Sequence, residues 1–150
     1  MKNRVIVVSI LILILGGCRS MDKNPTGLLD GGFHPCPDSP NCVSSMSTDT
    51  SHFIPPIGYG EIPRVEAYNR ILEILGNEKR CRIITADENY IHAEFRSSLF
   101  RFVDDTEFFF PPDKMIIQVK SASRLGYSDF GVNRKRIEEL RGAFFQEQDL

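Results

Sequence analysis

The sequence lacks the short motifs that mark several classes of enzyme and metal protein. It has no Gly-x-Ser-x-Gly nucleophile elbow, no paired Cys-x-x-Cys spacing and no internal repeat. Its apolar run from Val5 to Leu15, interrupted by Ser9, is shorter than the roughly 20 residues that a membrane-spanning helix requires. The chain therefore carries no direct signature of catalysis, of zinc binding or of a membrane span.

An excess of basic residues is missing as well. The 150 residues carry 18 Lys and Arg against 20 Asp and Glu, which gives a formal net charge of −2. Cleavage before Cys18 removes Lys2 and Arg4 and leaves 16 basic against 20 acidic side chains, a formal charge of −4. Nucleic-acid binding relies on cationic surface, so this balance argues against a general nucleic-acid binder. The apolar content of 41% and the charged content of 25% predict one compact globular domain.

The first residues have the order of an export signal. Lys2 and Arg4 precede the apolar run, and Leu15-Gly16-Gly17-Cys18 resembles the lipobox of bacterial lipoproteins, in which the cysteine carries the lipid, including palmitate. We therefore expect a signal peptide over residues 1–17, a flexible tether over 18–32 and one α+β domain over 33–150. The expected binding partner is a membrane, to which the lipid on Cys18 attaches the protein. Because Arg19 follows that cysteine, the resemblance places the protein in the bacterial cell envelope, on the outer membrane facing the periplasm.

Two cysteines lie within a stiff, proline-rich stretch. Three prolines surround Cys36 and Cys42, and exported proteins meet an oxidising compartment, so we predict a disulfide between them. Cys81 is a third thiol and leaves the pairing open. A metal site formed by the two cysteines with His34 or His52 is the weaker alternative, and the sequence implies no metal or cofactor.

Hydrophobic spacing predicts an α+β fold. Helices are expected over residues 63–75 and 133–145, where apolar residues recur at helical intervals. Strands are expected over 81–86, 90–95, 102–110 and 114–121, with hairpin-like connections between them. The predicted architecture is a four-stranded antiparallel sheet flanked by an N-terminal and a C-terminal helix, after an irregular N-terminal arm.

The third strand contains a local conflict. Asp104 shares its parity with Phe108, so a regular strand directs its carboxylate towards the core. A buried carboxylate is costly unless it is paired and hydrogen-bonded. Either a bulge turns Asp104 outward, or Arg124 meets it together with the hydroxyls of Ser121 and Ser123.

Three stretches resemble one bacterial family. Residues 36–45, 102–108 and 121–134 closely resemble the domain of unknown function 1499, and the likeness covers nearly all of the chain after residue 33. The resemblance implies a lipoprotein or a membrane-attached protein. It supplies no activity and no catalytic residues.

The stretch 121–136 is the expected functional region, where a strand gives way to a helix. One hypothesis is an anion site, in which arginines and helix-start amides hold a phosphate or carboxylate of a lipid or cell-wall fragment. Its candidate residues are Ser121, Ser123, Arg124, Asp129, Asn133 and Arg134. The competing interpretation is structural: Arg124 pairs with Asp104 or Asp105, and Asp129 and Asn133 brace the last helix.

The sequence therefore predicts a lipid-anchored envelope protein with a noncatalytic binding or scaffolding role towards an anionic or lipidic component. The alternative is an envelope hydrolase with a Ser or Cys nucleophile, in which Cys42 acts with His34 or His92, or Ser123 acts with His92. No protein partner is implied.

Overall fold

The computed structural model describes residues 24–99 and 101–146. Four short strands come first in that part of the chain: β1 (Leu28–Leu29), β2 (Gly32–Phe33), β3 (Cys42–Ser44) and β4 (Ile57–Gly58). They are followed by α1 (Arg64–Asn77), β5 (Cys81–Asp87), β6 (Tyr90–Arg96), β7 (Val103–Phe109), β8 (Ile116–Ser123) and α2 (Val132–Gln146). The predicted signal peptide and Cys18 lie outside the described residues.

The main sheet is antiparallel, as predicted, but it has six strands instead of four. The predicted strands form the meander β5–β6–β7–β8, and both β3 and β4 add to the outer side of β8. The part of the chain before α1 is therefore less irregular than expected. The helices also differ from the predicted flanking arrangement, because α1 lies in sequence between β4 and β5. Strands of two and three residues are too short to leave a pattern in the sequence.

The hydrophobic core lies between the sheet and the two helices. Ile91, Phe108 and Val119 are neighbours on three adjacent strands and are fully buried. Ile71 of α1 and Phe144 of α2 belong to the same cluster. Alternation along the strands places every second residue on this helix side. Among the described helices, none is long and apolar enough to cross a bilayer.

The other side of the sheet is polar and is nevertheless buried, because residues 24–33 lie over it. We call these residues the arm. Lys120 donates to the carbonyl oxygen of Pro25 at 2.9 Å, and the Gly27 amide donates to Glu107 at 2.7 Å. Phe33 packs with Tyr90 and Phe109 in a small second cluster. The described part of the predicted tether is thus bound to the sheet, since its backbone supplies partners for buried charges.

The predicted disulfide is confirmed. Cys36 and Cys42 are joined, with an S–S distance of 2.04 Å. Their sulfurs are therefore not free to act as thiolate ligands, and the described residues contain no group of three or more His, Cys, Asp or Glu side chains arranged to hold a metal ion. Cys81 is half-buried and unpaired.

Candidate functional site

The strand-to-helix stretch lies at one end of the sheet, which we call the junction end. There β6 and β8 finish while β5 and β7 begin: Phe95 faces both Cys81 and Asp104, and Asp104 also faces Ser123. Antiparallel pairing therefore gathers the connection from β6 to β7 and the connection from β8 to α2 at this one end. It is the place where the polar side chains of the sequence motifs meet.

On the helix side of the junction end, Asn133 is the centre of a buried hydrogen-bond network. Its side-chain nitrogen donates to the Ser123 hydroxyl at 3.0 Å and to the Asn41 carbonyl at 3.1 Å. Its side-chain oxygen accepts from the Ser121 hydroxyl at 2.6 Å and from Arg136 at 2.7 Å. Ser121 and Asn133 are fully buried. This network ties the first turn of α2 to the end of β8.

Asp104 faces this network, and an arginine other than the predicted one meets it. The β7 register with β6 and β8 runs without a bulge, so Asp104 points to the helix side. Arg136 donates to its carboxylate at 2.6 Å and also lies over the Phe95 ring at 4.7 Å. Of the two partners predicted for Arg124, Asp104 is therefore wrong and Asp105 is confirmed. Arg124 leaves the strand on the opposite side of the sheet, which alternation assigns to Asp105.

A second charged network lies on that opposite side. Arg124 donates twice to Asp105, at 2.8 Å each, and once to Glu94 at 2.6 Å. The His92 ring nitrogen Nε2 lies 2.7 Å from Asp105. Burial acts to raise the pKa of the Asp105 carboxyl, but the hydrogen bonds from His92 and Arg124 outweigh it and hold that pKa below its usual range. The pKa of Glu94 is lowered in the same way, against burial, by Arg124 and Arg82.

The remaining anion-site candidates also have protein partners. Asp129 accepts from the amides of Gly131 and Asn133, at 3.0 and 2.8 Å, and so satisfies amides at the start of α2. Arg134 donates to the carbonyl oxygens of Phe53 at 2.8 Å and Ser51 at 3.1 Å. The structure thus brings the candidates together at one end of the sheet but commits each to an internal contact. A ligand at this end must use neighbouring groups.

Such groups line a hollow of about 510 Å³ beside α2, which we call the junction groove. Its walls come from the connection between α1 and β5, the end of β6 and the residues that follow it, the start of β7 and the first turns of α2. Five lining side chains are basic and three are acidic: Lys79, Arg80, Arg96, Lys135 and Arg136 against Glu78, Asp104 and Glu139. The hydroxyls of Ser97 and Ser98 lie at the same rim. Sequence reasoning did not single out Arg80 or Arg96 as site residues, although alternation does place Arg96 beside Glu94 on the polar side of β6. Arg136 lies within the predicted functional stretch but was not among its candidate residues.

A smaller hollow of about 280 Å³ lies beside the disulfide and has the opposite character. It is lined by Asp38, Asp49, His34 and His52 among other residues, with no lysine or arginine. The His52 ring nitrogen Nδ1 lies 2.8 Å from the Cys42 carbonyl oxygen. Cations are thus concentrated in the junction groove, and of these two hollows it is the better suited to an anion.

The groups proposed for nucleophilic catalysis do not meet. Cys42 is held in the disulfide, and Ser123 takes part in the Asn133 network on the helix side. His92 lies on the other side of the sheet, against Asp105. Asp104 and Asp105 likewise point to opposite sides and cannot share a substrate as an acid–base couple.

These features define a small α+β protein with a basic groove at one end of an antiparallel sheet. The chain belongs to the family described as Protein of unknown function (DUF1499), whose match spans residues 33–144. That span includes the disulfide, the whole main sheet and the part of α2 that lines the groove. No curated protein and no solved structure matches the chain.

Proposed function

We propose that this protein is a lipid-anchored envelope protein whose domain binds an anionic envelope component without catalysing a reaction on it. The observation that carries the proposal is the surplus of cations in the junction groove. The ligand class is a phosphate- or carboxylate-bearing molecule, because guanidinium and ammonium groups beside hydroxyls are the donors that such anions accept. A hollow of about 510 Å³ is of the size that holds small molecules in other proteins.

Basic side chains still outnumber acidic ones in the groove lining when the residues of internal ion pairs are left out of the count. Asp104 is neutralised by Arg136 at 2.6 Å, and Lys135 lies 3.6 Å from Glu139. Three basic side chains then remain in the lining, Lys79, Arg80 and Arg96, against the single carboxylate of Glu78. Arg96 also has a loose contact with Glu94 at 3.8 Å, which leaves most of its hydrogen-bonding capacity available. The ligand therefore meets net positive charge.

Native mass spectrometry of the processed protein, recovered from its own envelope, tests the binding function. The wild type is expected to carry an anionic species that is lost in the double variant Lys79→Gln/Arg96→Gln. The matched control is Arg64→Gln/Lys114→Gln, which removes the same charge at the far end of α1 and of the sheet and should retain the species. A wild-type protein without a bound anion, or a groove variant that keeps it, would contradict the proposal.

The anchor is proposed from the lipobox and is tested separately. Cys18 is expected to carry acyl chains that fix the protein to the bacterial envelope, on the outer membrane facing the periplasm. Labelled palmitate should enter the wild type and be absent from Cys18→Ser. Incorporation that persists in the variant would place the lipid elsewhere, and no incorporation in the wild type would remove the anchor.

A further inference from the structure

Six exposed apolar side chains lie at the junction end, and one of them, Val132, lines the groove. We call these six side chains the apolar cluster. Two come from the connection between β6 and β7, three from the connection between β8 and α2, and one is the first residue of α2: Leu99, Phe102, Leu125, Tyr127, Phe130 and Val132. Both connections leave the sheet at the same end, since the Arg124 amide donates to the Val103 carbonyl at 3.1 Å. Scattered apolar residues are normal on a protein surface, whereas a cluster of this kind marks an interaction surface.

Phe130 is the most prominent member of the cluster. Its side chain is 96% exposed, and its backbone has a φ of +55°, which bulky side chains rarely adopt. Such a conformation is energetically unfavourable and persists only where the surrounding structure holds it. Hydrogen bonds from the Phe130 amide to the Ser128 hydroxyl and from the Gly131 amide to Asp129 hold the turn in place. The chain therefore keeps a strained turn that presents an aromatic ring to its surroundings.

Charge is distributed unevenly between the two ends of the sheet. The junction end carries Lys79, Arg80, Arg96 and Arg101 beside the apolar cluster, against Glu78 and Asp129, although the whole chain has a net charge of −2. The turns at the opposite end carry Asp87, Glu88 and Asp113 against Lys114. An anionic surface therefore attracts the junction end and repels the other end.

The chain also enters the domain at the junction end. Asn24, the first described residue, is buried and donates to the Ser123 carbonyl oxygen at 2.8 Å. Only six residue steps separate it from Cys18. At about 3.5 Å per residue, even a fully extended link of that length spans no more than roughly 20 Å. A lipid on Cys18 would hold this end, and not the opposite one, next to the bilayer.

We infer that the junction end is a membrane-docking surface, which inserts its apolar loop tips into a bilayer of anionic phospholipids. The inference rests on the proposed anchor but not on a ligand in the groove. Acyl chains on Cys18 already retain the protein, so what the surface contributes is orientation. In the docked domain the strands of the sheet point away from the membrane plane, and the groove mouth faces the lipid headgroups.

Single-tryptophan reporters test this inference, because the chain contains no tryptophan. Phe130→Trp marks the junction end, and Met115→Trp marks the opposite end, where Met115 is 54% exposed. Both variants are reconstituted through their own anchor into vesicles of phosphatidylglycerol and phosphatidylcholine with brominated acyl chains. We expect the Phe130→Trp reporter to lose most of its emission and the Met115→Trp reporter to keep it. Replacing phosphatidylglycerol by phosphatidylcholine should restore emission at position 130.

Each other outcome overturns the inference at a defined point. Equal quenching of both reporters, or of neither, on an acylated chain refutes docking while leaving the anchor intact. An intact mass without acyl chains removes the anchor and the inference with it. A blue shift of the Phe130→Trp reporter that rises with protein concentration in the absence of lipid assigns the surface to a second copy instead. Quenching that does not depend on phosphatidylglycerol contradicts the role of the basic border. None of these readouts depends on occupancy of the groove, which native mass spectrometry measures.

Discussion

Replacing Lys120 by methionine should destabilise the fold strongly, because it leaves the carboxylate of Glu107 buried without its cation. The Lys120 ammonium lies 3.3 Å from that carboxylate, and both side chains are 1% exposed. Glu107 keeps two donors in the variant, the Tyr90 hydroxyl at 2.5 Å and the Gly27 amide at 2.7 Å. Tyr90 remains a proton donor throughout, since burial and then the charge of Glu107 raise its pKa.

The expected loss follows from the burial of the pair. Removing one partner of a buried ion pair costs about 3–5 kcal/mol, and the two remaining donors put the expected loss for Lys120→Met at the lower end, about 3 kcal/mol. In urea this lowers the unfolding midpoint by roughly 1–3 M. The double variant Lys120→Met/Glu107→Gln has no charge left at this site, and glutamine still accepts from Tyr90 and Gly27. Its loss should be smaller than that of Lys120→Met alone.

Urea unfolding followed by circular dichroism measures these losses at pH 7. The matched control is Lys135→Met, which breaks the pair with Glu139, whose side chains are 76% and 64% exposed. Exposed pairs contribute little, so the control should change stability by no more than about 0.5 kcal/mol. The reasoning is refuted if Lys120→Met behaves like the control, or if the double variant loses the sum of the two single changes.

Three further predictions follow from individual groups. Because the pKa of Asp105 lies below its ordinary value of 3.8, its contribution to stability is present above that pH and is lost as the pH falls through the lowered pKa. Asp105→Asn should thus lower the free energy of unfolding by about 2 kcal/mol at pH 7. Measured against pH, the free energies of unfolding of variant and wild type should converge in acid. A difference that stays constant with pH would contradict this. Replacing Cys36 and Cys42 together by serine should cost about 2 kcal/mol, by the entropy of the short loop that they close; unfolding with and without reductant should give the same loss, and an unchanged midpoint would be the contrary result. Burial, with a smaller effect of Glu78, raises the pKa of Cys81 to about 11, so its thiol should be labelled at pH 8 on the order of a hundredfold more slowly in the native state than in urea; equal rates would show an accessible thiolate.

The sequence was sufficient for those parts of the fold that rest on regular alternation. The four long strands and both helices were predicted within a few residues, because each leaves a pattern in consecutive positions. The disulfide was predicted from the proline-rich stretch around its two cysteines and from the expected export. The additional strands β3 and β4 left none: they span three and two residues, and their pairing partner, β8, lies about sixty residues or more further along the chain. A sheet edge of this kind is decided by tertiary packing and not by local preference.

The partner of Asp104 shows where sequence reasoning about the site stops. Strand parity correctly sent this carboxylate to the helix side, and burial required a cation there. Arg124 was the nearest supplier in the predicted arrangement of strands, but it follows Ser123, whose side chain already faces the helices, and so it falls on the opposite side with Asp105. Arg136 reaches Asp104 because it lies one turn after Asn133 on α2. That choice depends on how the helix is rotated against the sheet, which no spacing within the strand reveals.

The buried charges on the arm side have a consequence that apolar residues could not reproduce. A hydrophobic pair in place of Lys120 and Glu107 can match their stability, since a buried ion pair gains little over well-packed side chains. It cannot hold the backbone of the arm, however, because Lys120 donates to the Pro25 carbonyl and Glu107 accepts from the Gly27 amide. These two bonds fix the chain one and three residues after Asn24, at the point where it leaves towards Cys18. On an anchored domain, slack at this point would let the junction end turn away from the bilayer. Under the proposed anchor, the main effect of the buried pair is therefore to fix the direction in which the domain is held, and not to add folding free energy.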